Sequence, residues 1–137
     1  MRVIVDTNIL LSALINPHGA PALLLDAWRA GYFALVTSRD QLLEFGDVAR
    51  RPAMRSYLVP AQVGRFINDL RQLAEVLSNL PQIERSPDPA DDFLLAMAEA
   101  GAADYLVTGD RHGLLVLGSH RRTQIVSARQ LATLLNL

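Results

Sequence analysis

Short apolar runs alternate along the chain with longer segments in which apolar residues recur at helical spacing. The runs lie at positions 3–5, 32–37, 105–108 and 123–126. They are rich in β-branched or aromatic residues, as buried strands are. The segments between them predict helices at positions 9–15, 22–30, 38–50, 60–77, 91–100 and 128–135. Strands that alternate with helices predict an α/β fold, in which helices cover both faces of a central, mainly parallel sheet to give three layers.

The helix predicted over positions 60–77 is the most amphipathic one. Its apolar stripe consists of Val63, Phe66, Ile67, Leu70, Leu73, Ala74 and Leu77. The helix predicted over positions 91–100 is apolar on nearly every side, which is typical of a buried helix. Ser38 is the expected N-cap of its helix, with Gln41 as the capping-box partner. Trp28 is either a core residue or an exposed anchor for a second copy of the chain.

The composition excludes several classes of chemistry. The chain has no Cys, which excludes disulfides, thiolate nucleophiles and Cys-based zinc sites. All 13 basic residues are Arg, and the absence of Lys excludes a Walker-type phosphate loop, a Schiff-base enzyme and a protein kinase. The three His lie on separate predicted loops without the spacing of a metal motif. Carboxylates, hydroxyls and arginines therefore remain as the groups that can carry chemistry.

The length of 137 residues suits one domain. No linker, repeat or low-complexity segment divides the chain, so we expect a single domain over residues 1–137. No apolar run approaches the roughly 20 residues that a membrane helix needs. The first residues form a predicted strand and lack the apolar stretch and cleavage site of a signal peptide. We therefore expect a cytoplasmic protein.

Four acidic residues fall near the carboxyl ends of the predicted parallel strands, where such sheets bind ligands. Asp6 follows the first strand and Asp110 follows the third. Glu44 lies on the helix after the second strand, and Asp91 begins the buried helix. Each acid also has an ordinary structural interpretation, as a turn or cap residue, a solvated position or a favourable partner of a helix dipole.

Convergence of these carboxylates favours a functional interpretation, because carboxylates that share one edge need a counter-charge. Oxygen ligands select a hard cation, Mg²⁺ or Mn²⁺, and such an ion can activate water and stabilise the charge on a phosphodiester. Two acids without a metal would instead indicate glycoside hydrolysis. The aromatic content of 6% gives little support to that alternative, because sugar clefts are usually lined by aromatic residues.

The order and spacing of these segments resemble the PIN-domain ribonucleases over nearly the whole chain. Positions 3–8 (Val-Ile-Val-Asp-Thr-Asn) look like the first strand and first catalytic Asp of that family. Positions 38–52 look like the segment with its catalytic Glu, and positions 88–96 and 103–110 look like its C-terminal half. The resemblance implies a PIN-like three-layer α/β/α fold, endonucleolytic cleavage of RNA and dependence on Mg²⁺ or Mn²⁺. It also implies an acidic site formed by Asp6, Glu44, Asp91 and Asp110.

The resemblance also implies roles for the acids. Asp6, Asp91 and Asp110 are expected to hold one or two metal ions. Glu44 is expected to bind metal or to orient the attacking water. Asp92 is the alternative to Asp91 as the third acid of the site.

Further residues are expected to support the site. Asp88 is a candidate for the outer part of the site. Hydrogen bonds to the acids or to a phosphate are expected from Thr7, Asn8 and Thr108. Apart from the acids of the site, the chain has more Arg than acidic residues, which suits a modest RNA-binding rim. Its candidates are Arg50, Arg51, Arg55, Arg121 and Arg122.

The chain is most similar to the stand-alone toxin components of toxin–antitoxin pairs, such as VapC toxins. This similarity implies three partners: an RNA substrate, a small antitoxin and a second copy of the chain in a homodimer. His112 stands where relatives often have a further acid, which leaves a catalytically impaired interaction module as an alternative function. A phosphatase of the haloacid dehalogenase type is disfavoured, because it needs an Asp at the position of Asn8 and a Lys elsewhere.

Overall fold

The computed structural model describes residues 1–137 and contains one sheet of six strands. The strands are β1 (Arg2–Val5), β2 (Ala34–Ser38), β3 (Glu75–Leu77), β4 (Tyr105–Val107), β5 (Ser119–His120) and β6 (Thr123–Val126). Their order in the sheet is β3-β2-β1-β4-β6-β5. All neighbouring strands are parallel except β5 and β6. This confirms the mainly parallel sheet that the alternation of strands and helices predicts.

Seven helices flank the sheet. They are α1 (Thr7–Ile15), α2 (Ala20–Arg29), α3 (Arg39–Ala49), α4 (Pro60–Leu73), α5 (Asp92–Ala100), α6 (Leu114–Leu117) and α7 (Ala128–Leu134). A single 3₁₀ turn, Pro89–Asp91, leads into α5. Helix α2 has Pro in its first turn, where the missing N–H costs no hydrogen bond. No single helix is both long and apolar enough to cross a membrane, although α1 and α2, which meet at 96°, would reach that length and apolarity as a pair.

Hydrophobic cores lie on both faces of the sheet. The larger core contains Val3 and Val5 of β1 and buried residues of α1, α2, α3, α4 and α7. The smaller core contains Ile4 of β1 and buried residues of α5 and α6. Successive strand residues point to opposite faces, so the continuous apolar run in β1 serves both cores. The predicted three-layer α/β/α architecture is thus confirmed, and Trp28, which is buried in the larger core, is a core residue.

The strand order aligns the carboxyl ends of the five parallel strands. Val5 of β1 lies opposite Val107 of β4, and the N–H of Asp6 donates to the Val107 carbonyl at 2.8 Å. We call this side of the sheet, where β2, β1, β4 and β6 end, the carboxyl edge. The first residues along or beyond it are Ser38, Asp6, Thr108 and Ser127. Helices that begin here place their first turns close to Asp6.

The hydrophobic pattern misses both edge strands, β3 and β5. The helix predicted over positions 60–77 is wrong beyond Leu73, because Ala74 is extended and residues 75–77 form β3. Leu77 packs against the smaller core, on the face of the sheet opposite to α4. A strand of two or three residues at an edge shows too little alternation to be recognised.

The capping box expected at Ser38 forms only in part. The Ser38 hydroxyl accepts a hydrogen bond from the Gln41 N–H at 3.0 Å, but the Gln41 side chain does not return to the cap. The complete capping box of the chain lies at the start of α7, between Ser127 and Gln130. The Gln41 side chain has a different function, described below.

Candidate active site

Asp6 lies at the centre of the carboxyl edge, between the end of β1 and the start of α1. It caps α1, and one carboxylate oxygen accepts the N–H of Asn8 at 3.3 Å. The other oxygen accepts the hydroxyl proton of Thr108 at 2.8 Å. Burial raises the pKa of the Asp6 carboxyl, and the charge of Asp110 adds to this effect, while the hydrogen bonds oppose it. Asp6 is therefore a buried acid held in a fixed orientation.

Thr108 connects the carboxylate of Asp6 to the loop that carries Asp110. Its hydroxyl donates to Asp6 and accepts the N–H of Asp110 at 3.3 Å. The Asp110 carboxylate accepts the N–H of His112 at 3.1 Å. A Cβ added to Gly113 would overlap the Asp110 carboxylate, so a larger residue at this position would force that carboxylate to move. The His112 side chain is exposed.

Asp91 experiences the charges of the other acids. Burial raises its pKa to about 6, and four negative charges add to the effect. They belong, in decreasing order of effect, to Asp6, Asp88, Asp110 and Glu44. Since such charge effects weaken with distance, Asp6, Glu44, Asp88 and Asp110 lie within electrostatic range of Asp91. The four acids that the sequence pattern singles out therefore lie on the same side of the molecule.

Glu44 owes its placement to Gln41, a residue that the sequence pattern identifies only as part of a cap. The buried Gln41 side chain donates to the carbonyl of Val5 at 2.6 Å and accepts the hydroxyl proton of Thr37 at 2.7 Å. It therefore ties the first turn of α3 to the residue before Asp6. Glu44 follows one helical turn later, half-buried on the same side of α3. The only sequence feature that could have identified this role of Gln41 is the presence of a polar residue at a helix position expected to be buried.

Asp92 and Asp91 are neighbours but have different surroundings. One carboxylate oxygen of Asp92 accepts the N–H groups of Arg85 and Ser86, at 3.1 and 2.7 Å. Asp92 therefore holds the connection before α5. Asp88 caps the 3₁₀ turn by accepting the N–H of Ala90 at 3.0 Å. Asp91 accepts no such hydrogen bond, and the charges of Asp6, Asp110 and Glu44 add to the effect of burial in raising its pKa.

The acidic cluster has no basic partner. None of the six ion pairs of the structure involves Asp6, Glu44, Asp91 or Asp110. Their oxygens do not form a preassembled metal site, since no three acids or His lie close enough together. The donor set nevertheless suits a hard cation, because a cation would compensate the charges that raise the pKa of Asp91. The Thr7 hydroxyl, buried beside Asp6, has no hydrogen-bond partner.

The predicted RNA-binding arginines fall into two groups. Arg121 pairs with Glu99, and Arg122 pairs with Asp104 at 2.6 Å. Both precede β6 and so lie at the amino ends of the strands, away from the acidic cluster. Arg50, Arg51 and Arg55 are exposed after the last turn of α3 and form no ion pair. Of the five predicted arginines, these three are the ones without an ion-pair partner inside the protein.

Comparisons with known proteins match one family model and one archaeal protein. The PIN domain family model matches residues 2–112, which include all four acids. The chain is 40% identical over 112 residues to "Uncharacterized protein MJ1680" of Methanocaldococcus jannaschii. That alignment covers 81% of this chain and 72% of the archaeal protein. No solved structure matches the chain.

Proposed function

The chain belongs to the PIN domain family, whose members are generally nucleases, and from this premise we propose that it is a metal-dependent endoribonuclease. The observation that supports the proposal is the hydroxyl of Thr108, which joins the buried carboxylate of Asp6 to the loop that carries Asp110 at the carboxyl edge, with Asp91 within electrostatic range of both acids. Acids from four segments that lie near one another without a basic partner repel one another and so destabilise the fold. Metal-assisted hydrolysis would give such a cluster a function.

The proposed roles divide the acids into metal ligands and Glu44. Asp6, Asp91 and Asp110 would hold Mg²⁺ or Mn²⁺, directly or through water, and Thr108 keeps the Asp6 carboxylate oriented. Bound metal supplies activation of water and stabilisation of the negative charge on the phosphate. Glu44 binds metal or orients the water that attacks phosphorus. The loop from Thr108 to Gly113 holds Asp110 in place through the hydrogen bonds of its N–H and its carboxylate.

Cleavage assays on substituted proteins test the proposal. Replacing Asp6 or Asp91 by Asn should lower Mg²⁺-dependent cleavage of single-stranded RNA by about 100-fold or more, because loss of even an outer partner of a metal ligand costs 10- to 100-fold. Asp26→Asn is the control, since Asp26 is an exposed acid of α2 outside the cluster. Cleavage by wild-type protein should stop in EDTA and return with excess Mg²⁺ or Mn²⁺.

Two outcomes would contradict the proposal. Full activity of the Asp6→Asn protein would remove Asp6 from the site. A folded wild-type protein that binds RNA but cleaves none with either metal would instead favour a catalytically impaired interaction module.

We further propose that the protein acts in the cytoplasm as the toxin of a toxin–antitoxin pair, with a small antitoxin and a second copy of the chain as partners. The support for this is the resemblance of its motifs to those of VapC-like toxins. An adjacent reading frame for a small DNA-binding protein, whose coexpression abolishes cleavage and growth inhibition, is the expected finding. Unaffected growth during expression of active protein would contradict a toxin role.

A further inference from the structure

A groove of about 680 Å³ lies between α3 and α4, on the side of α3 away from Glu44. Three arginines line it: Arg39 and Arg50 from α3, and Arg71 from α4. The remaining lining residues are Leu42, Leu43, Asp47, Gly64, Ile67 and Val76. A concave surface with three guanidinium groups and one carboxylate is suited to an anionic ligand.

The arginines of this groove are free to bind. Arg39, Arg50 and Arg71 take part in no ion pair and no side-chain hydrogen bond within the protein. A neighbouring cavity of about 510 Å³ gives the contrast, because its Arg29 pairs with Asp69 at 3.5 Å. Guanidinium groups without internal partners keep their full hydrogen-bonding capacity for phosphate.

One end of the groove lies next to the carboxyl edge. Arg39 begins α3 directly after Ser38, where β2 ends beside β1 and Asp6. At the other end of α3, Arg50 also lines a second cavity, of about 270 Å³, together with Arg55. Helix α3 has 11 residues and is therefore about 16 Å long. A single strand of nucleic acid carries several phosphates over that length.

We propose that this groove binds the phosphate backbone of single-stranded RNA next to the cleaved bond. The inference rests on the proposed function and adds the path of the substrate to it. Charge complementarity, and the position of Arg39 next to the carboxyl edge, favour RNA over a protein partner. Leu43, 69% exposed, and Val76, 37% exposed, offer apolar surface to riboses and bases between the arginines.

Two arginines of α4 provide a matched test. Arg71 faces the groove, whereas Arg65 lines the other cavity, and both are exposed and outside any ion pair. We would measure fluorescence anisotropy of a labelled 12-nucleotide RNA with Asp6→Asn protein, and with wild-type protein in EDTA as a second uncleaving background. Arg71→Gln should raise the Kd about fivefold, and Arg39→Gln with Arg71→Gln about 20-fold or more, because each removes a charge-assisted bond to phosphate.

The salt dependence makes the test specific to phosphate. Each lost phosphate contact should reduce the slope of log K against log salt by about 0.7. The loss should also be smaller for a four-nucleotide RNA, which is too short to follow α3 from the acidic cluster. Arg65→Gln should change neither the Kd nor the slope.

The outcomes separate this inference from the proposed function. Equal Kd values and slopes for the Arg71→Gln and Arg65→Gln proteins would overturn the groove assignment, even if wild-type protein cleaves RNA. The same result with an altered oligomeric state would assign the groove to a protein partner. Groove-dependent RNA binding by a wild-type protein that cleaves nothing would support the groove and overturn the nuclease.

Discussion

The hydroxyl of Thr108 is the shortest connection between two acids of the site, because it donates to Asp6 and accepts from the backbone of Asp110. Thr108→Val keeps the shape and removes both hydrogen bonds. We expect a 10- to 100-fold loss of metal affinity, roughly the cost of losing an outer partner of a ligand. Isothermal titration with Mn²⁺ measures it, and Thr108→Ser should restore most of the affinity. Equal affinities for wild-type and Thr108→Val would show that Asp6 needs no such partner.

The raised pKa of Asp91 predicts a dependence of stability on pH. The folded protein holds a proton on Asp91 up to about pH 6, whereas the unfolded chain releases it near pH 4. The contribution of Asp91 to stability is therefore present below about pH 4 and is lost as the pH rises through 6.

Denaturant titrations in EDTA measure this contribution. The free energy of unfolding of wild-type protein, relative to that of Asp91→Asn, should fall between pH 4 and pH 7. The comparison with the variant removes the opposite effect of Glu99 and Asp104, whose pKa values are lowered by their partners. A difference that is constant or rises with pH would contradict the raised pKa.

At the scale of elements, the loop between β4 and α6 determines where Asp110 points. Gly113 lies directly beneath the Asp110 carboxylate, so Gly113→Ala should displace it and lower cleavage about tenfold or more, as small misplacements of catalytic groups do. Cleavage rates of the single and double variants check this. In an Asp110→Asn background, Gly113→Ala should cause no further loss. An additive loss would mean that Gly113 acts on something other than Asp110.

Helices and strands could be predicted where the run of apolar and polar residues was long enough to show a recognisable spacing. Helices α3, α4 and α5 and the buried strands β1 and β4 follow from their apolar positions. The short edge strands β3 and β5 could not be predicted, because sheet pairing rather than sequence period defines them. The closeness of Asp6 and Asp110 was predictable from the rule that parallel strands end at one edge. The bridge from Gln41 to Val5 was not, since it depends on how α3 packs against β1.

At the scale of the whole molecule, we propose that residues 1–137 form a single domain, because one sheet contributes to both cores. Thermal unfolding should therefore show one transition in far-UV circular dichroism and in tryptophan fluorescence, since Trp28 lies in the larger core. Transitions that differ between the two probes would contradict a single domain.

Saturating Mg²⁺, at about 100 times its Kd, should stabilise the folded protein by about 2.7 kcal/mol.

The exclusive use of arginine gives the groove a property that a lysine-rich surface lacks. Lysine acetylation removes the charge of many basic surfaces, but these 137 residues contain no side-chain amine that could be acetylated. Guanidinium groups also keep their charge throughout the pH range in which carboxylates titrate. Affinity for nucleic acid should therefore be insensitive to acetyltransferases, and the groove arginines should not contribute to the pH profile of catalysis.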